Sequence, residues 1–480
     1  MTTDRRTFLG ASLGATATIA SCTNALMTSA QADPVQTSTF NDNISWDPAV
    51  RATAAGDFGH MISKRPRAVF RPASGADIAR LMRWARDDGL KVAARGQGHS
   101  IYGRALAEDG VVIDMGAISK VHHVETDRII VDAGATWKTV LEASLAQGLT
   151  PPVLTHYLGL SVGGTLSVGG IGAMSLRHGM QTDQVIELDV VTGDGRELTC
   201  SAASNPELFD AVRAGLGQCG IITRATLKLV RAPERVRRYQ LFYPDLASLT
   251  ADQRRALHEQ RFDQLQGAIL PDGNDGWRYQ LEGAVFYSGE AAPDNNAVLA
   301  ALADERRAAI ISDLSYHNDA LAFAKFEQLL RSKGQWTNPQ PWLLTFLRDN
   351  NAEQIAREIV EGMSPTHIGP FGRITYYPLH TGAIHTPMLR RPDEPIVFAF
   401  NLIRIPASDD TLTAGILVAQ NRGLYDRIRK AGGVLYPVSA FSMTPADWRD
   451  HFGLRWPQLT EAKRRYDPAN LLTPGYNLFG

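Results

Sequence analysis

The sequence predicts an α+β protein of two domains, and three observations carry that expectation. At 480 residues the chain exceeds what one hydrophobic core organises. Between about residue 45 and residue 233, strand and helix patterns alternate irregularly, which argues against a doubly wound parallel sheet. Beyond Pro233 the texture changes to longer amphipathic stretches mixed with strands, so residues 234–410 read as a second domain.

The elements follow in order. "RAVFRP" (Arg67–Pro72) reads as a short strand. Ser74 with Asp77 has capping-box spacing and opens a helix whose apolar face is Ile78, Leu81, Met82 and Ala85. Gly89 stops it, and "LKVAA" returns to strand, leaving "RGQGHS" at that strand's C-terminal end. "GVVIDM" and "RIIVDAGAT" are two more strands, and Thr136 caps a helix facing inward with Trp137, Val140, Leu141 and Leu145. "VIELDVVTGDGRELTC" is two strands joined at Gly193-Asp194-Gly195, Asn205-Pro206 begins a helix, and "GLGQCGIITRATLKLV" leads back to strand. In the second domain "ADQRRALHEQRFDQL" and "NNAVLAALADERRAAII" read as long helices, with strands at "WRYQLEGAVFY" and "PIVFAFNLIRI". Residues 411–480 hold one more helix and end in "RRYDPANLLTPGYNLFG".

Bulk properties exclude some classes. With 44% hydrophobic and 21% charged residues and a net charge of −1, composition is that of an ordinary globular protein. No Lys/Arg block gives an electrostatic footprint for nucleic acid. Beyond the leader no apolar run reaches the roughly 18 residues of a spanning helix. The leader itself, with Arg5-Arg6 ahead of Phe8-Leu9 and "ASLGATATIA", resembles a twin-arginine export signal over residues 1–32. Two exits compete: cleavage after Ala32, which is favoured, and a lipobox-like "IASC" that would leave a lipid anchor at Cys22. The expected location is periplasmic or secreted. Cys200 and Cys219 are expected as buried thiols, although an exported protein could pair them.

"GLGQCG" (Gly215–Gly220) matches G-x-G-x-x-G, but it follows a helix and precedes a strand. A dinucleotide fingerprint needs the opposite order, because the diphosphate must meet a helix N-terminus. No His or Cys pattern has metal-ligand spacing, and no G-x-S-x-G elbow or P-loop occurs. What remains is a glycine-rich system in two pieces: Gly96, Gly98 and Gly103, then Gly163, Gly164, Gly169, Gly170 and Gly172. Such loops let backbone N–H groups approach a diphosphate, with crowded turns in a tight sheet as the plain alternative. For His99 a metal site, a phosphate cradle, a catalytic base and a plain turn all stay open on the residues alone.

Five blocks carry a resemblance: "ARGQGHSIYGRA", "THYLGLSVGGTLSVGGIGAMSLRHG", "VIELDVVTGDGRELTCS", "NPELFDAVRAGLGQCGIITRATLKL" and "YDPANLLTPGYNLF". They resemble the cytokinin dehydrogenases, within the vanillyl-alcohol-oxidase (PCMH-type) FAD flavoproteins. The likeness runs from about residue 45 to the C-terminus and is loose only in the middle of the second domain. It implies an FAD-binding domain in two parts, 45–233 and 411–480, and an α+β substrate domain with an antiparallel sheet at 234–410. It implies that His99 bonds covalently to the flavin 8α carbon. Gly96, Gln97, Gly98, Ser100, Gly103, Gly163, Gly164, Thr165, Ser167, Gly170 and Ile222 would then line the rest of FAD. Tyr476, with Asn477 beside it, stands where the family has a glutamine that returns to the flavin. His156 stands at the family's catalytic aspartate and Leu154 at its tryptophan. Neutral imidazole is a competent base but carries no negative charge. Glu282 resembles a substrate-domain "VEG" element. The implied activity is oxidation of a C–H next to N or O, with electrons passed to O2 or a quinone-like acceptor. N6-alkyl adenines lead as small-molecule substrates; alcohol, aldose or other amine oxidation is the alternative, and a flavin-binding secreted protein without turnover is a third reading.

Overall fold

Ser74 Oγ accepts from Asp77 N at 3.3 Å, and the helix it caps runs Gly75–Asp87 with Ile78, Leu81, Met82 and Ala85 buried, as the spacing predicts. Asp77 Oδ2 in turn accepts from Ala73 N, one residue before the cap. This helix connects the parallel strands of the first sheet in a computed structural model that describes residues 42–480 apart from 408 and 410. Arg5, Arg6, Cys22 and Ala32, and with them the leader reading, lie outside the described residues.

The first sheet has four strands in the order Ile44–Ser45, Ala68–Phe70, Val111–Asp114, Val92–Arg95, and its last three are parallel. The second has five antiparallel strands: Val121–Val124, Arg128–Asp132, Ile221–Lys228, Val185–Val191 and Glu197–Ser201. Val121–Val124 lies outside the expected strands, because His122 and His123 break its apolar pattern. The third sheet has eight antiparallel strands: Ile310–Ser315, Arg235–Tyr243, Trp277–Tyr287, Gln264–Pro271, Arg373–His380, Ile396–Ile403, Leu343–Arg348 and Val434–Leu435. Helices Leu246–His258 and Ala352–Glu361 cover one of its faces. The fold class is thus the expected α+β, and Cys200 and Cys219 are buried free thiols.

Three expectations need correction. "NNAVLAALADERRAAII" is not a long helix: α-helix covers only Asn295–Val298, Ala301 turns left-handed at φ 56°, a single 3-10 turn spans Arg306–Ala308, and Ile310–Ser315 is a strand. Its last two residues, Ile310 and Ile311, pair with Gln240 and Tyr239, so at that end sheet pairing overrides a helix-compatible pattern. "ADQRRALHEQRFDQL" also overreaches. That helix starts at Leu246, capped by Asp245, and ends at His258, with Gln260 left-handed before the strand from Gln264. Finally, residues 411–480 hold three helices, Thr411–Lys430, Pro445–Phe452 and Trp456–Tyr466. The second has a full Thr444/Asp447 capping box with proline in its first turn, a signal present in the sequence.

The C-terminal segment closes back on the first sheet. Val92 N donates to Leu471 O at 2.9 Å and Thr473 N donates to Val92 O at 2.8 Å. Asp467 anchors it by accepting from Leu471 N and Leu472 N and pairing with Lys463 Nζ at 2.7 Å, with both side chains buried. Lys463→Met is expected to destabilise the fold by about 3–5 kcal/mol, because it strands a buried carboxylate. Urea unfolding measures it, and a midpoint equal to wild type would contradict it.

Candidate functional site

The strand Val92–Arg95 ends in the 96–100 turn, and Gly98 takes a left-handed φ of 66° there. Gly96 packs against the second glycine piece so closely that a Cβ would lie 1.9 Å from Ser161 Oγ. Gly172 faces Leu154 O, which a Cβ would meet at 2.0 Å. At Gly96 and Gly172 a side chain would collide with its neighbours, and residues of both glycine pieces line one cavity. That cavity is about 320 Å³, within the range of cofactor and ligand pockets.

Gly96, Gln97, Gly98, His99, Ser100, His156, Gly163, Gly164, Thr165, Ser167, Gly170, Ile222 and Tyr476 all line this cavity. Three expected site residues do not. Gly103 instead donates its N–H to Asp57 Oδ2 at 2.6 Å. Asn477 is exposed, turned outward by a left-handed φ of 54°. Glu282 is engaged elsewhere: Arg373 Nη2 and Gln280 Nε2 donate to its Oε1 at 2.8 and 2.9 Å.

His156 lines the cavity and is exposed there. Its Nε2 lies 2.7 Å from Gln266 Oε1, an acceptor. Nε2 therefore donates, and Nδ1 keeps the lone pair. Desolvation holds the imidazole below its ordinary 6.5, with Arg373 and Arg238 adding to the effect and Gln266 and Glu282 opposing it. The ring is neutral and its basic nitrogen is free. Gln266 stands opposite Glu282 in the sheet, so the polar face of the eight-stranded sheet meets the cavity at His156.

His99 sits among rings. Phe58 stacks on it at 3.8 Å and 20°, Tyr157 lies at 4.7 Å, and Trp336 meets it edge-on at 5.6 Å. Burial pushes its imidazole down to about 3, with Arg331 and His60 adding repulsion. Its Nε2 is buried without a partner. A neutral imidazole on the cavity wall is a nucleophile rather than a cation.

Sequence reasoning passed over several residues here. "GLGQCG" is the helix-to-strand turn expected, yet Leu216, Gly217 and Gly220 face the cavity, and Leu216 and Gly217 are left-handed. Arg104 lines it as a buried guanidinium, its Nη2 on Phe441 O at 2.9 Å and its Nε unpartnered. Tyr436 OH accepts from Gly170 N at 3.1 Å and so fixes the second glycine loop. Asp57 is buried, and burial raises its carboxyl to about 6 against the pull of the Gly103 and Gly59 amides it accepts from.

A glycine-lined floor, a buried unpartnered arginine nitrogen and a neutral histidine on the wall fit a long cofactor with an anionic diphosphate and a flat ring system. Among the described residues no group of three or more His, Cys, Asp or Glu is placed to hold a metal ion. Also among them, no helix is long and apolar enough to cross a membrane.

Residues 66–201 match the family described as "FAD binding domain", and the class is that of an FAD-binding oxidoreductase. Residues 268–479 match the family described as "Cytokinin dehydrogenase 1, FAD and cytokinin binding". The chain belongs to the cytokinin dehydrogenase family. It is 34% identical to cytokinin dehydrogenase 10 of Oryza sativa subsp. japonica over 91% of this chain and 88% of that one. With cytokinin dehydrogenase 1 of Arabidopsis thaliana the identity is 31%, over 88% and 80%. An oxidoreductase of Rhodococcoides fascians, named "Uncharacterized oxidoreductase ORF5 in fasciation locus", is 41% identical over 89% of this chain and 97% of its own length.

Proposed function

We propose that the protein oxidises a small molecule at a C–H next to nitrogen or oxygen, with His156 as the base. The observation that carries this is the His156 side chain in the cavity, Nε2 tied to Gln266 and Nδ1 free. FAD, when bound in this cavity, would supply the hydride acceptor. His156 takes the proton from the reacting N–H or O–H at Nδ1, and Gln266 keeps the ring from turning its protonated nitrogen to the substrate. Gly96, Gly98, Gly163 and Gly164, which line the cavity, would hold the diphosphate through backbone amides, and His99 would supply the covalent link. The reduced cofactor would be reoxidised by O2 or a quinone-like acceptor.

The names of the plant relatives and the match over residues 268–479 support N6-alkyl adenines as the leading substrates. A neutral base at the aspartate position favours an alcohol or another amine as the second reading, since neutral imidazole does not attract a developing ammonium as a carboxylate does. Anaerobic mixing with N6-alkyl adenines, other amines, alcohols and aldoses decides between them. Bleaching of the flavin band by one class identifies it; ligands that bind without bleaching would leave a flavin-binding protein without turnover. Export by the twin-arginine route belongs to the same proposal and rests on Arg5-Arg6. The mass of the exported protein distinguishes cleavage after Ala32 from lipidation at Cys22, and an uncleaved, unlipidated chain would contradict both.

A further inference from the structure

Asp57 and Phe58 form a turn just after helix Pro48–Ala54, outside both glycine pieces. The Asp57 carboxylate is buried and uses both oxygens: Oδ1 accepts from Gly59 N at 3.0 Å and Oδ2 from Gly103 N at 2.6 Å. Phe58 N donates to Gly98 O at 2.9 Å. One dipeptide thus holds the 96–103 loop on either side of His99. The Phe58 ring does not line the cavity. It lies flat on the imidazole at 3.8 Å and 20°, the closest ring pair among the described residues. Trp336 and Trp342 meet Phe58 edge-on at 5.0 and 5.5 Å and hold it in place. Turning the imidazole plane would drive it into this packed stack.

We propose that Asp57 and Phe58 are positioning residues for joining the flavin to His99: Asp57 clamps the loop, and Phe58 sets the plane of the imidazole. This rests on the reading of His99 as the tether. In that step an 8α C–H bond and an imidazole N–H bond break and a C–N bond forms. The two electrons and two protons released reduce the flavin ring, which passes them to dioxygen as hydrogen peroxide. Nothing in this balance needs a base from Asp57 or Phe58; their contribution is alignment of a lone pair with one carbon. Misplacement by about 1 Å costs on the order of 10²-fold in such reactions.

The experiment follows attachment itself rather than turnover. Full-length apoprotein is mixed with FAD under air, and aliquots are denatured and weighed as whole chains. Wild type is expected to gain the FAD mass, and Phe58→Tyr to gain it at the wild-type rate. Phe58→Leu and Asp57→Asn are expected to bind FAD, seen by absorbance of the native protein, but to attach it at least about tenfold more slowly. Asparagine offers one accepting oxygen where the carboxylate offers two. If Phe58→Leu does not fold, Asp57→Asn carries the test. Wild-type attachment rates in the folded variants would overturn the positioning role and leave the tether reading standing. A wild-type chain that never gains the FAD mass would overturn the tether reading, and the positioning role with it.

Discussion

His156→Ala slows flavin reduction by about 10²-fold or more while FAD stays bound. The expectation follows from the geometry: the ring is the basic group that faces the cavity with a free lone pair, and Gln266 fixes which nitrogen that is. Stopped-flow reduction under anaerobic conditions measures it, and a rate within a few-fold of wild type would leave His156 a packing residue. The pH profile gives a second reading. Because desolvation lowers the imidazole below 6.5, the neutral form persists into mildly acidic solution. The acid limb of the reduction rate is therefore expected below pH 6.5, and His156→Ala removes it. An unperturbed histidine would place that limb at its ordinary value.

His99→Ala is expected to leave FAD without a covalent link. Wild-type protein is expected to keep its yellow fluorescence on the denatured polypeptide, whereas the variant releases all its FAD into the acid supernatant. The variant also loses the Phe58 stack, worth about 0.5–1.5 kcal/mol beyond area burial, so its thermal midpoint drops by roughly 1 °C in a chain this long. Wild-type protein that itself yields all FAD to acid would refute the tether.

Local signals in the chain carried much of the first part of the fold. Ser74 and Thr136 cap the helices they were expected to cap, at 3.3 and 3.2 Å to the third residue's amide. Both glycine pieces and both histidines reach one cavity because a strand-end turn and a glycine surface are written in contiguous residues. The misses share a different cause. Residues 310–315 become strand only because Arg235–Gln240 lies beside them, a partner some 75 residues away that no window of sequence reveals. Gln266 meets His156 across 110 residues through sheet register, and Phe58 meets His99 through a turn whose aspartate resembles any polar loop residue until Gly103 is placed against it. The salt bridge of Glu282 with Arg373 is likewise set by sheet topology, across the intervening strand Gln264–Pro271, and no short motif foretells it.

The closure of the C-terminal segment on Val92 has a consequence for biogenesis. Lys91 Nζ donates to Asn470 O across 379 residues, and Thr473 and Tyr476 supply part of the cavity wall. A nascent chain on the ribosome therefore lacks a finished cofactor chamber until residue 476 has emerged, long after the glycine loops have been made. The cavity wall is thus completed only by a chain synthesised almost to its end, and a cofactor that needs the whole wall would bind after synthesis rather than during it.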